Sequence, residues 1–158
     1  MPAYLFDQDS SEKKLKQLIV LYDKFMEDPD SSEKALQIAT EAWHLTDWVH
    51  KEFQTTHNID ILGDFRETLY PYCNSLKIMH DLANSSKHGD TSRPKAGIQS
   101  AYLYEGDFDP SDFSMEEFEV SRLEIILTDN SKLYFDEEIT KVVDFWKDYF
   151  RNELNITL

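Results

Sequence analysis

The period of the hydrophobic pattern changes twice along this chain, and that change constrains the fold more than any other feature. From about Ser11 to His88 the apolar residues recur at i, i+3, i+4 and i+7; from Gly97 to Asp136 they alternate; beyond Asp136 the helical spacing returns. A helix buries a stripe and a strand buries one face. The expected architecture is therefore α+β and mainly α: a helical bundle of about three N-terminal helices, a small antiparallel sheet of about three strands, and a C-terminal helix. With 158 residues the chain has the length of a single domain, 1–158. A domain of this size buries about 70% of the surface its unfolded chain exposes, so a core needs no metal or disulfide staple.

Two copies of "DSSEK", at 9–13 and 30–34, each open an apolar-periodic segment. An Asp or Ser ahead of Glu satisfies orphan first-turn amides and suits the helix dipole, so both read as helix starts. The first helix is expected over Ser11 to Glu27, with Leu15, Leu18, Ile19, Tyr22, Phe25 and Met26 inward. The second is expected over Glu33 to Phe53, with Ala35, Ile38, Ala39, Ala42, Leu45, Val49 and Phe53 inward. After the loop "QTTHNIDILGD", a third helical region covers Phe65 to His88, broken or re-entered at Pro71. Tyr72, Cys73, Leu76, Met79 and Ala83 share its inner face, and Gly89 suits a left-handed C-cap. The alternating segments at 97–106, 118–128 and 132–136 read as strands, the last two joined as a hairpin across "DNS". Between the first two lies the acidic stretch "DFDPSDFSMEE", expected to be a mobile loop. The last helix should run from Asp136 to Leu154, with Ile139, Val142, Val143, Trp146, Tyr149 and Phe150 inward.

The charge is lopsided, Asp+Glu 31 against Lys+Arg 16, a formal net of −15. Such a surface repels phosphate backbones, so nucleic-acid binding would need a local basic patch. The single cysteine, Cys73, forms no intramolecular disulfide and fits a reducing compartment. The opening "MPAYLFDQDSSEKK" has no basic region followed by an apolar run, and no window approaches the roughly 18 apolar residues of a membrane span. A cytoplasmic protein with no membrane partner is expected.

The stretch "MHDLANSSKHGD" carries most of the candidate chemistry. At 100° per residue, His80, Asn84 and His88 form an i, i+4, i+8 row along the edge of the apolar face, with Lys77 and Asp81 just outside it. On the second helix, Asp47 lies between His44 and His50, with Trp43 one turn before. If the two helices pack antiparallel, Asp47 and a histidine of the third could meet. The candidate site is then Asp47, His50, His80, Asn84 and His88, with His44 and Asp81 as further polar members. Lys87, Arg93 and Lys95 form the local positive charge that could draw a phosphate-sized anion.

Bland readings compete with each of these. His80 also reads as a core histidine satisfied by one hydrogen bond, and His88 as a cation at a helix C-terminus. Asn84 at the i+4 position is a poor zinc ligand, and Asp107 and Asp109 lack the Gly and Glu of a calcium loop. No metal and no cofactor is expected. Cys73 reads as a buried, inert thiol, and no Gly-rich phosphate loop occurs. The aromatics read as packing, except that one of Tyr102 and Tyr104 should face the open side of the sheet.

The segments "AWHLTDWV" and "LKIMHDLANSSKH", then a strand hairpin and "VVDFWKDYF", resemble a group of small bacterial and phage proteins with a helical core similar to the HEPN superfamily. The resemblance implies, for an active member, metal-independent RNA cleavage in a toxin or defence setting, normally across a dimer, by an Arg separated from a following His by four to six residues. Here the His would be His88, and the Arg would fall at Asp81, Leu82 or Ala83, none of which is Arg. Asn84 and His80 would then orient the substrate, and Lys87 or Arg93 would bind phosphate. Against this ribonuclease stands a non-catalytic binding or regulatory protein, monomer or homodimer, whose acidic surface meets a basic protein partner. An acidic inhibitor of a nucleic-acid-binding protein is its sharper variant.

Overall fold

The structure is a computed structural model that describes residues 5–89, 93–105 and 121–158. Helix α1 (Ser11–Glu27) and helix α2 (Ser32–Glu52) start alike: the Ser10 hydroxyl accepts from the Lys13 amide and the Ser31 hydroxyl from the Lys34 amide, each at 3.2 Å. The repeated "DSSEK" is thus a repeated N-cap. The end of α2 returns to the start of α1, where Glu52 accepts from the amide and hydroxyl of buried Ser11 at 2.6 and 2.7 Å.

The third helical region, expected to be broken or re-entered at Pro71, is two helices, α4 (Leu62–Leu69) and α5 (Leu76–His88), with a short α3 (Gln54–His57) ahead of them. Pro71 does not open α5. It lies in a tight turn in which the amides of Tyr72 and Cys73 both reach back to the Leu69 carbonyl. A turn does not keep helical phase, so Tyr72, expected inward, is 82% exposed. Met26 is likewise exposed, at the margin of a stripe formed by Leu15, Leu18 and Phe25. Gly89 closes α5 with φ 71°, the left-handed cap expected there.

Strands β1 (Ile98–Tyr104), β2 (Arg122–Leu127) and β3 (Lys132–Tyr134) form an antiparallel sheet in that order. All three are shorter than expected. Ser121 precedes the β2 ladder, while residues 118–120 and the acidic stretch with Asp107 and Asp109 lie outside the described residues. Residues 135 and 136 belong to helix α6 (Phe135–Asn152), so β3 runs straight into α6 and the chain turns from sheet to helix without a loop. Tyr102 is the sheet tyrosine that faces outward, and its hydroxyl donates to buried Glu124 at 2.7 Å.

α6 closes the molecule by touching α1, α2, α5, β2 and β3. Its inner face, Ile139, Val142, Val143, Trp146 and Phe150, is buried in one cluster with the inner faces of α1, α2 and α5. Phe135 meets Phe25 edge to face at 5.2 Å, tying the start of α6 to α1. Among the described residues no helix is long and apolar enough to cross a membrane.

Candidate functional site

The polar stripe of α5 is real, and its centre is Asp81, which the helical wheel placed only at its margin. Asp81 is 3% exposed. Its Oδ1 accepts from His80 Nδ1 at 2.7 Å and from the Lys95 amide at 2.9 Å. Its Oδ2 accepts from the amides of Lys95 and Ala96 at 3.1 and 2.9 Å. One side chain therefore clamps the approach to β1 onto α5.

With Nδ1 donating to Asp81, the Nε2 of His80 is the acceptor, and Asn84 Nδ2 donates to it at 2.8 Å. The His80 ring packs edge-on against buried Trp43 at 4.9 Å. Both ring nitrogens are taken by neighbours on the same helix, which leaves no lone pair to abstract a substrate proton in this arrangement.

The wider constellation expected from the sequence divides. Asp47 and His44 are exposed on α2, and the residue that α2 sends to His80 is Trp43. The rotation of α2 turns Asp47 to the surface and Trp43 to His80, whose two ring nitrogens hold Asp81 and Asn84. His50 belongs to a different cluster at the end of α2. It stacks on His57 at 5.0 Å, and both rings lie against Phe65. The Ile59 amide donates to His57 Nδ1, so His57 Nε2 donates to the His50 carbonyl, and His50 Nε2 donates to the Ile59 carbonyl. These imidazoles fasten the α3 turn. Lys87 and Arg93 are exposed, and the His88 side chain lies outside the described residues. Lys95 reaches instead over the Tyr70 ring, 6.0 Å from its centroid, as does Lys77 at 5.3 Å.

Helix α4 brings in two groups that sequence reasoning missed. Arg66 lies over the Trp43 ring at 4.3 Å and donates its Nε to Thr46 Oγ1 at 2.8 Å. Burial lowers its pKa, and nearby Asp47 opposes that. Tyr70, one turn on, is 6% exposed, and burial pushes its hydroxyl up to about 12. An Arg and a Tyr four apart share a helix face, which is the one signal that could have linked them.

A groove of about 680 Å³ opens between α4 and α6. Asp144, Asp148 and Glu153 supply carboxylates, and Lys141 is the lysine among its lining residues. Tyr72, Phe145 and Tyr149 supply aromatic walls, with Phe65 and His57 at the α3 end. Asp148 pairs with Arg151 at 2.6 Å, and Lys141 with buried Glu138 at 3.0 Å. Among the described residues Asp144 and Glu153 have no ion-pair partner, and the charge of Glu153, after burial, raises Tyr149 to about 12.

Three groups, buried Tyr70 and Cys73 and half-buried Tyr149, favour their neutral form: the tyrosines at about 12 and the thiol at about 11, burial being the first cause of each. Their folded values lie above the unfolded ones, so the stabilisation is intact below the unfolded values and is lost as pH rises through the folded ones. The denaturant midpoint is expected to hold up to about pH 9 and to fall steadily toward pH 12. A flat midpoint across that range would show that these groups ionise freely in the fold.

Comparison of the chain with protein-family models, with curated proteins and with solved structures gave no match.

Proposed function

We propose that the protein is a non-catalytic binding module whose groove between α4 and α6 receives a basic segment of a protein partner. The observation that carries this reading is the lining of the groove, where three carboxylates stand beside aromatic faces and two of them have no ion-pair partner among the described residues. Lysine and arginine side chains suit such a surface twice over, pairing with carboxylates and packing their cations on rings. The net charge of −15 adds long-range attraction for the same partner and slows the approach of a nucleic acid. The internal satisfaction of His80, Asp81 and Asn84 supports the non-catalytic half of the reading.

The test is titration of the purified protein with an Arg-Gly repeat decapeptide, with a Glu-Gly decapeptide as control. Neutralising the groove as Asp144→Asn, Asp148→Asn and Glu153→Gln is expected to weaken binding of the basic peptide about tenfold or more. Neutralising three exposed carboxylates elsewhere, Asp23→Asn, Glu27→Gln and Glu33→Gln, removes the same charge and should change it less than about threefold. Equal losses in the two triples would mean that net charge alone attracts the peptide, and the groove reading would fall. Incubation with cellular RNA in EDTA is expected to leave the RNA intact; cleavage that His88→Ala abolishes would establish the ribonuclease instead.

A further inference from the structure

Tyr70 is more than nine-tenths buried, yet among the described residues its hydroxyl has no hydrogen-bond partner. Buried phenols nearly always find one, so an orphan donor of this kind needs a reason. Its surroundings supply one. Lys77 and Lys95 place their ammonium groups over its ring, and the charge of Arg66 pulls on its hydroxyl. Arg66 is itself unusual in a chain with nearly twice as many acidic as basic residues. Its Nε is committed to Thr46, and among the described residues it makes no salt bridge to a carboxylate. Glu67 and Asp81 also act on the Tyr70 hydroxyl, but the oxygens of Asp81 are occupied by His80 and the amides of Lys95 and Ala96.

We infer that Arg66, Tyr70, Lys77 and Lys95 form a binding site for a phosphate-sized oxyanion, free or as the terminal phosphate of a small molecule. The Tyr70 hydroxyl donates to the anion, the unused N–H groups of Arg66 donate beside it, and the two lysines neutralise it from above the ring. Lys95 is exposed, so its arm can lift from the ring and follow the ligand, while its backbone stays clamped by Asp81. Three local cations hold a single dianion at short range, whereas an extended polyanion meets the acidic remainder of the surface. The site uses none of the groove residues between α4 and α6 and stands independently of the function proposed for them.

The experiment compares inorganic phosphate with sodium chloride at matched ionic strength, reading both the melting temperature and the NMR resonance of the Arg66 Nε–H. Phosphate is expected to raise the melting temperature beyond chloride and to shift the Arg66 resonance saturably. Tyr70→Phe keeps the ring and both lysine contacts and should weaken binding about tenfold, since a hydrogen bond to a charged group is lost. Lys95→Gln, at an exposed position, should weaken it severalfold without unfolding the protein. Arg66→Gln should abolish the effect. Glycerol 2-phosphate in a second arm separates the sources: competition with phosphate assigns the site to a phosphomonoester, and its failure to compete assigns it to the free ion. Equal responses of the wild-type protein to phosphate and chloride, or undiminished phosphate binding by Tyr70→Phe, would overturn the inference.

Discussion

Asp81→Asn is expected to destabilise the protein by about 3 kcal/mol or more, as much as Asp81→Ala, although Asn has nearly the same shape as Asp. Both Asp81 oxygens accept hydrogen bonds, Oδ1 from His80 and Lys95, Oδ2 from Lys95 and Ala96. Whichever way the amide of an asparagine is turned, its NH₂ faces at least one N–H donor in a site that is 3% exposed. A buried donor left without an acceptor costs about 1–3 kcal/mol, and a donor facing a donor also pushes the segment away. In a chain of this length about 3 kcal/mol corresponds to a melting temperature lower by about 6–12 °C. Amide exchange gives the sharper readout: Lys95 and Ala96 should lose protection while α1 and α2 keep theirs. His80→Ala removes only one of the donors and should be milder. An Asp81→Asn protein melting within about 2 °C of wild type would show that the clamp contributes little and that the chain ahead of β1 is held by the sheet alone.

That clamp marks the boundary of what the sequence discloses. The helices α1 and α2 were legible nearly to the residue because their starts depend on Ser10, Ser31 and a periodic stripe, all local features. The break between α4 and α5 was visible only as Pro71, since the turn depends on two amides sharing the Leu69 carbonyl. Asp81 was placed at the margin of the stripe for a related reason. The groups it holds are backbone amides 14 and 15 residues further on, and a pattern of side chains does not display amides. Asp47 and His80 carried the right chemistry on neighbouring helices, but helix rotation decided the contact, and α2 presents Trp43 there. The groove was half legible. Asp144 and Asp148, like Phe145 and Tyr149, sit four apart on α6, while Phe65 and Tyr72 on the facing wall are brought there by the α4–α5 turn.

Trp146→Ala should be the most damaging substitution in α6, about 3–5 kcal/mol, the usual cost of removing a fully buried tryptophan. Trp146 is 0% exposed, packs on Phe145, Tyr149 and Phe150, and donates its indole N–H to the Ala42 carbonyl of α2 at 3.1 Å. Two effects are combined there, volume and a hydrogen bond, and Trp146→Phe separates them. Phenylalanine keeps most of the apolar contact and loses the N–H. Ala42 lies mid-helix, so its carbonyl retains its i+4 amide partner and is not left orphaned. The hydrogen bond is then worth about 1 kcal/mol, and Trp146→Phe should cost about 1–2 kcal/mol. Denaturant unfolding of the two variants tests the division: a large gap between Ala and Phe means that α6 closes the core by filling it. Equal costs would mean that the indole N–H, pinning α6 to α2, governs the packing. In that case the α4–α6 groove, whose α6 wall includes Phe145 and Tyr149 packed on Trp146, should lose its shape in both variants alike.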